Sequence, residues 1–278
     1  MKRTEPDHNK KSSSSSKSTA KAWEQTEVER LSSGRGAWHN TPNEQSGVHP
    51  APEQIVFLLD VDNTLLDNDA IEADLKDHLT HEFGAENCGR YWALFEELRA
   101  ELGYADYLGT LQRYRLDDLN DPRLLQMSAF LVDYPFARRL YPGALAVIRH
   151  LQHWGPTVIL SDGDVVFQPH KVQRSGLWNA VEGRVLIYIH KELMLEQVMQ
   201  RYPARHYVMV DDKLRILAAM KHVMSDDLTT VFPRQGHYAL DPKITAANPP
   251  AEITINVIGD LIDYKLPVLL GNAAAART

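Results

Sequence analysis

The sequence predicts an α/β fold: a three-layer core built on a parallel sheet, with a block of helices inserted after the first strand. Three observations predict it. Short β-rich apolar runs recur from residue 53 to about 270. Helical stretches separate most of these runs. One long section, residues 67–139, carries helical periodicity and no strand-like run.

The first strand is expected at Gln54-Ile55-Val56-Phe57-Leu58-Leu59, between Pro52 and Asp60. A continuous run that short reads as a strand buried on both faces, as in a parallel sheet. Similar runs are Thr157 to Leu160, Arg184 to Ile189, Tyr207 to Val210, Thr229 to Phe232 and Ile253 to Ile255. Helices are expected at Ala144 to Trp154, Lys191 to Arg201 and Leu214 to His222. Strands alternating with helices imply right-handed crossovers and parallel pairing. The inserted block reads as amphipathic helices over Ala70 to Phe83, Gly89 to Leu102, Tyr104 to Tyr114 and Arg123 to Leu131, broken by Asp121-Pro122 and Tyr134-Pro135. The stripe Tyr91, Trp92, Phe95 has the spacing of a cap core. The expected organisation is a tail at 1–52, a core from 53–66 and 140–270, and a helical cap at 67–139.

Residues 1–52 contain a lysine- and serine-rich run followed by Gly, Pro, Asn and scattered charge. Such a segment buries too little apolar area to offset its chain entropy and is expected to be disordered. A net charge of −7 argues against a general nucleic-acid binder. A single cysteine, Cys88, excludes an internal disulfide framework and any multi-cysteine metal site. The histidines form no ligand-spaced cluster, which disfavours a zinc hydrolase. No apolar run reaches the roughly 18 residues of a membrane span, and the N-terminus lacks a secretory h-region. The expectation is a cytoplasmic protein with neither nucleic acid nor membrane as partner.

Chemistry-bearing residues fall where the apolar strands stop, the place where open parallel sheets bind ligands. The first strand delivers Asp60-Val61-Asp62-Asn63-Thr64, the second Ser161-Asp162-Gly163, the third His190-Lys191 and the fourth Asp211-Asp212. Any one is a commonplace loop start; four on consecutive strands form a pattern. The segments Phe57 to Leu65, Ile159 to Gly163, Lys191 and Val210-Asp211-Asp212 resemble, in order, the four motifs of the haloacid dehalogenase-like (HAD) hydrolase superfamily. The resemblance runs from about Ile55 to Ile262. It implies a Rossmann-like core with a C1-type cap. Leu140-Tyr141-Pro142-Gly143 resembles phosphoglycolate-phosphatase-like members.

The resemblance implies a Mg2+-dependent phosphatase acting on a small phosphorylated metabolite, with phosphoglycolate among the candidates. Residue chemistry agrees with it. A carboxylate, Asp60, attacks phosphorus and splits hydrolysis into two displacements. Asp62 serves as general acid and then base. Hard Mg2+ prefers carboxylate and carbonyl oxygens, available from Asp60, the Asp62 carbonyl and Asp211 or Asp212. Ser161 offers a hydroxyl, and the N–H groups of Asp162 and Gly163 are expected to form an anion-binding nest. Lys191 places positive charge on nucleophile and phosphoryl oxygens.

The pattern departs from the family's in places. Asp162 stands where many relatives carry asparagine. Glu192 follows Lys191 in place of the usual proline, making Lys171 the rival third-motif lysine. The second acid expected four residues after Asp212 falls on apolar Ile216. Arg113, Tyr114 and Arg115 are candidates for an anionic substrate tail, with a solvated helix face as the alternative. The Phe232 to Tyr238 loop reads either as site-lining or as a plain turn. The alternatives on the same fold are a haloacid dehalogenase, which has no need of an acid at Asp62, and a phosphotransferase. A non-catalytic regulatory binding protein is the rival from another class.

Overall fold

A computed structural model describes residues 55–115 and 121–271. The tail expected at 1–52 lies outside them. The core is a six-stranded sheet of β1 (Val56–Leu59), β2 (Thr157–Asp162), β3 (Val185–Tyr188), β4 (Tyr207–Val210), β5 (Leu228–Pro233) and β6 (Ile253–Ile255). Their order is β3-β2-β1-β4-β5-β6, and every neighbouring pair is parallel.

All four residues of β1 are buried because helices cover both faces of the sheet. Side chains alternate along a strand, so they divide between two cores. Phe57 and Leu59 join one with Val147, Ile148 and Val172, while Val56 and Leu58 join the other with Val198, Leu217 and Met220. The chain runs outward from β1 to β2 and β3, then returns to place β4 on the other side of β1. That reversal is a topological switch point, where crossover helices diverge and leave a crevice above the carboxyl ends of β1 and β4.

After β1 the chain forms helices α1 (Asn68–Phe83), α2 (Ala85–Leu102), α3 (Tyr107–Tyr114) and α4 (Arg123–Asp133). Asp67 caps α1 by accepting from the Ala70 N–H, and Asp106 caps α3 by accepting from Gly109. Tyr91 and Phe95 are buried in this helical layer, and the Tyr91 hydroxyl donates to the Tyr107 carbonyl at 2.9 Å. The way in and the way out lie side by side: Leu66 bridges Leu140, the Asp67 N–H donates to the Arg139 carbonyl, and the Tyr141 N–H donates to the Leu65 carbonyl.

Helices α5 (Ala144–Leu151), α6 (Phe167–Arg174), α7 (Leu177–Ala180), α8 (Leu195–Arg201) and α9 (Leu214–Met224) flank the sheet. One expected helix differs. Lys191 to Arg201 is not continuous: a 3-10 turn at Lys191–Leu193 precedes α8. The Asp162 carboxylate accepts the Lys191 N–H at 2.7 Å, so the turn is anchored to β2 before α8 begins. Among the described residues no helix is long and apolar enough to cross a membrane.

Leu58 is fully buried at the centre of the sheet. Leu58→Ala is expected to lower unfolding free energy by about 2–5 kcal/mol, the range for deleting a buried leucine side chain. A denaturant titration checks this; an unchanged midpoint would contradict the packing described.

Candidate active site

Asp60 directly follows β1, and its backbone N–H still donates to the Val210 carbonyl of β4, so its position is fixed by the sheet. The chain then turns sharply. Asn63 adopts a positive φ of 58°, and the Leu65 and Leu66 N–H groups both donate to the Val61 carbonyl. Asn63 tolerates that conformation better than most residues. Its Oδ1 accepts from the N–H groups of Asn68 and Asp69, joining the turn to the start of α1.

Four strand ends supply the buried charges. Lys191 Nζ donates to Asp60 Oδ1 at 2.5 Å and lies 2.6 Å from Asp211 Oδ2. Burial alone would lower the Lys191 pKa; Asp211, Asp60 and Asp162 outweigh it and hold the pKa raised. Ser161 Oγ and Thr64 Oγ1 each lie 3.4 Å from an Asp60 carboxylate oxygen. Thr64 Oγ1 also accepts from the Asp212 N–H at 3.1 Å. Glu192, sequence neighbour of Lys191, pairs with Arg215 at 2.7 Å and leaves the lysine to the site.

One oxygen from each of Asp60, Asp211 and Asp212 falls within 4.8 Å of the others. Asp211 is committed: Oδ2 meets Lys191, and Oδ1 accepts from the Lys213 N–H at 2.8 Å. Both Asp212 carboxylate oxygens are buried without a hydrogen-bond partner among the described residues. Burial pushes the Asp211 carboxyl up to about 6 despite Lys191, and it pushes Asp212 well above the carboxylate range despite Lys213. A buried carboxylate with no donor is costly, and a cation relieves it. Three carboxylates with two orphaned oxygens form a hard-oxygen set that fits a divalent ion such as Mg2+. Of the two late aspartates, Asp212 has the oxygens free to bind it.

Asp62 takes another path. Its side chain is a quarter exposed; Oδ1 accepts from Lys171 Nζ at 2.8 Å and Oδ2 from Gln168 Nε2 at 3.3 Å. Lys171 also donates to Asn68 Oδ1 at 3.0 Å. Lys171 and Lys191 are thus not rivals: the structure brings both in, one on Asp62 and the other on Asp60. The clue to Lys171 is its place beside Phe167 and Val172 on the buried face of α6, where an unpaired lysine would be costly.

Two expectations need correcting. Gly163 does not offer its N–H to an anion, because β2 continues its ladder with β3 and the Gly163 N–H donates to the Tyr188 carbonyl. The two-donor nest expected at Asp162 and Gly163 is therefore incomplete. Gly163 makes room instead: a Cβ there would lie 2.7 Å from Gln168 Cβ. The anionic-tail candidates Arg113 and Arg115 stay outside the cavity, with Arg113 paired to Glu101 on the surface.

Above these residues lies a cavity of about 430 Å3 between the inserted helices and the strand ends. Asp62, Asp162, Gly163, Gln168 and Lys171 line its inner side. The loop after β5 also lines it, through His237 and Tyr238. Gly236, at φ 70°, lets that loop approach, since a Cβ would lie 2.4 Å from Asn63 Cβ. Gln235 anchors the loop by donating to the Thr64 carbonyl at 3.0 Å and accepting from the Ile258 N–H at 2.5 Å.

A parallel sheet with a carboxylate on its central strand, a lysine against it and an acidic pair on the next strand defines a class of α/β hydrolytic enzyme with a carboxylate centre. The comparisons narrow that class. The sequence profile of the haloacid dehalogenase-like hydrolases matches residues 56–223. A solved structure from Burkholderia xenovorans LB400, assigned as a haloacid dehalogenase-like hydrolase, is 69% identical, covers 77% of this chain and 97% of its own, and has a TM-score of 0.74. YfnB of Bacillus subtilis, a HAD-hydrolase solved bound to magnesium, is 17% identical over 76% of this chain and 98% of its own, with a TM-score of 0.51. The L-2-haloacid dehalogenase of Xanthobacter autotrophicus, solved with chloropropionic acid covalently bound, is 18% identical over 75% and 96%, with a TM-score of 0.50. The last two share the fold at a level that carries no activity across. No match was found among curated proteins. The chain belongs to the haloacid dehalogenase-like hydrolase family and is a hydrolase.

The raised Asp211 and Asp212 carboxyls give the candidate metal site a pH signature. Each carboxyl binds its proton more tightly folded than unfolded, so the metal-free protein loses stability as pH rises above about 4, with the Asp211 share of the loss complete once pH has passed about 6. A divalent ion needs the ionised carboxylates and offsets that loss. Mg2+ is therefore expected to raise Tm more at about pH 7.5 than at about pH 5. Equal shifts at both pH values, or the same shift in Asp212→Asn, would contradict the site.

Proposed function

We propose that this hydrolase is a Mg2+-dependent phosphatase that cleaves small phosphomonoesters through an aspartyl-phosphate on Asp60. The observation that carries the reading is the pairing of the Asp60, Asp211 and Asp212 centre with a second acid, Asp62, facing the cavity two residues after Asp60. The first feature suits phosphate; the second suits a leaving oxygen that needs a proton. A carbon–halogen bond releases halide and has no use for Asp62, which favours the phosphatase over the dehalogenase.

Phosphoryl transfer depends chiefly on positioning and charge stabilisation. Asp60 forms a bond from its carboxylate oxygen to phosphorus as the ester P–O bond breaks. Lys191, held against Asp60, offsets the charge of the nucleophile and the phosphoryl oxygens. Asp62 gives its proton to the leaving alkoxide, then takes one from the water that attacks phosphorus. The Asp60–phosphorus bond breaks in that second step, releasing phosphate and restoring Asp60. Ser161 lies on the Asp60 side and can donate to a phosphoryl oxygen. Lys171 and Gln168 hold Asp62 in place between the two steps. Asp60, Asp212 and Asp211, with the Asp62 carbonyl, are the groups that would hold Mg2+, which would screen these carboxylates from the incoming phosphate.

Assay of purified protein against a phosphometabolite panel is expected to show turnover with Mg2+ and none with chelator. Asp60→Asn is expected to remain folded and inactive. Asp62→Asn is expected to lose about 10²–10⁴ in kcat on alkyl phosphates and less on aryl phosphates, whose leaving group needs no proton. Turnover in chelator, activity in Asp60→Asn, or halide release from 2-haloacids with no phosphatase activity would each overturn the reading.

A further inference from the structure

We infer that Gln168, on the first turn of α6, is a positioning residue that joins phosphate binding to proton transfer. Its one amide nitrogen holds both the Ser161 hydroxyl and the Asp62 oxygen that carries the proton. The inference rests on the phosphatase reading and adds a residue to its machinery.

The start of α6 is fixed just beyond the end of β2. Asp164 Oδ1 accepts from the Val166 and Phe167 N–H groups at 2.8 and 2.6 Å. Gly163 has no Cβ to hold Gln168 away. Gln168 and Lys171 are three positions apart on α6 and therefore share a face. Both are buried there with Phe167 and Val172. An apolar side chain at 168 would be cheaper to bury, because an amide must find hydrogen-bond partners.

That face grips Asp62 on both oxygens. Lys171 Nζ donates to Oδ1 at 2.8 Å and also to Asn68 Oδ1 at 3.0 Å. Gln168 Nε2 donates to Asp62 Oδ2 at 3.3 Å. An ammonium only donates, so a proton on Asp62 belongs on Oδ2, the oxygen that Lys171 does not hold. Oδ1 is thus the anchor and Oδ2 the working oxygen. The Gln168 contact is the longer and uncharged one, so Oδ2 can meet a leaving group while the stronger bond stays made.

The same nitrogen orients Ser161. A carboxylate paired with an ammonium only accepts, so Gln168 must present its NH2 group to Asp62. The second N–H of that group reaches Ser161 Oγ at 3.0 Å. Ser161 accepts there, and its own proton points elsewhere. Its acceptors are Asp60 Oδ1 at 3.4 Å and the Asp162 carbonyl at 3.5 Å, both long for a hydroxyl. That proton is left for a phosphoryl oxygen at Asp60. Gln168 therefore sets the phosphate donor and the acid–base group from a single atom.

The test compares kcat/KM on alkyl and aryl phosphates with Mg2+ and the full chain, since an aryl leaving group needs no proton. Gln168→Met keeps the length of the side chain and removes its donor. On aryl phosphates it is expected to lose about threefold to tenfold, the size of one hydrogen bond, through Ser161. On alkyl phosphates the loss is expected to be several-fold larger, because Oδ2 is released as well. Added to Ser161→Ala, Gln168→Met is expected to cost nothing further on aryl phosphates and to keep its extra loss on alkyl phosphates. Gln168→Asn withdraws the amide by one methylene; it carries the same expectation and serves if Gln168→Met does not fold. Unchanged activity, or equal losses on both classes, overturns the inference and spares the phosphatase, since a merely structural role would move both together. Additive losses on aryl phosphates in the double variant also overturn it. Wild-type turnover of neither class overturns the phosphatase reading, and this inference with it.

Discussion

Lys191 sits in the interior with Asp60 on one side at 2.5 Å and Asp211 on the other at 2.6 Å, and the rest of the site is arranged around that contact. Three buried carboxylates at the ends of β1 and β4 would repel one another, and their desolvation is not recovered from water. The lysine neutralises two of them and brings the end of β3 against the centre of the sheet. Asp162 completes this by accepting the Lys191 N–H, so β2 holds the turn that carries the lysine. Removing one partner of such a buried pair costs about 3–5 kcal/mol, because the charge left behind is uncompensated. The third carboxylate, Asp212, is what the lysine does not reach. That remainder is what suits the carboxylate cluster to a divalent ion.

The sheet order explains why these groups meet. Asp60 and Asp211 are 151 positions apart in the chain (211 − 60) yet follow adjacent parallel strands that both end at the switch point. The inserted helices leave and return through paired connections at Leu66 and Leu140, which sets them above the same strand ends. The buried charge of the candidate site thus comes from the sheet, and the cavity wall comes from helices and from the loop after β5. The division separates two demands, a fixed centre for chemistry and a variable surface for recognition.

Much of this was legible in the sequence, because the signals were local. Short apolar runs ending in Asp, Ser or Asp-Asp specify buried strands and their reactive ends without knowledge of the fold. Six strands and the helical insert follow from periodicity. Less legible was anything decided by tertiary partners. The split at Met194 depends on the Asp162 carboxylate capturing the Lys191 N–H from another strand. The Gly163 N–H is lost to β3 because β2 extends its ladder through Asp162, which a stop in apolar character at Leu160 does not reveal. Arg99 looks like any solvated helix arginine until Tyr238, 139 residues later, is placed beside it. Arg113 and Arg115 had the same composition signal and no cavity to face.

In the proposed mechanism Asp60 forms a bond to phosphorus. Acid quenching during turnover of an alkyl or acyl-substituted phosphomonoester with Mg2+, followed by peptide mass spectrometry, tests it most directly. A phosphoryl adduct is expected on the peptide containing Asp60, present in wild type and absent from Asp60→Asn. Steady turnover with no adduct on that peptide, or an adduct that persists in Asp60→Asn, would contradict it.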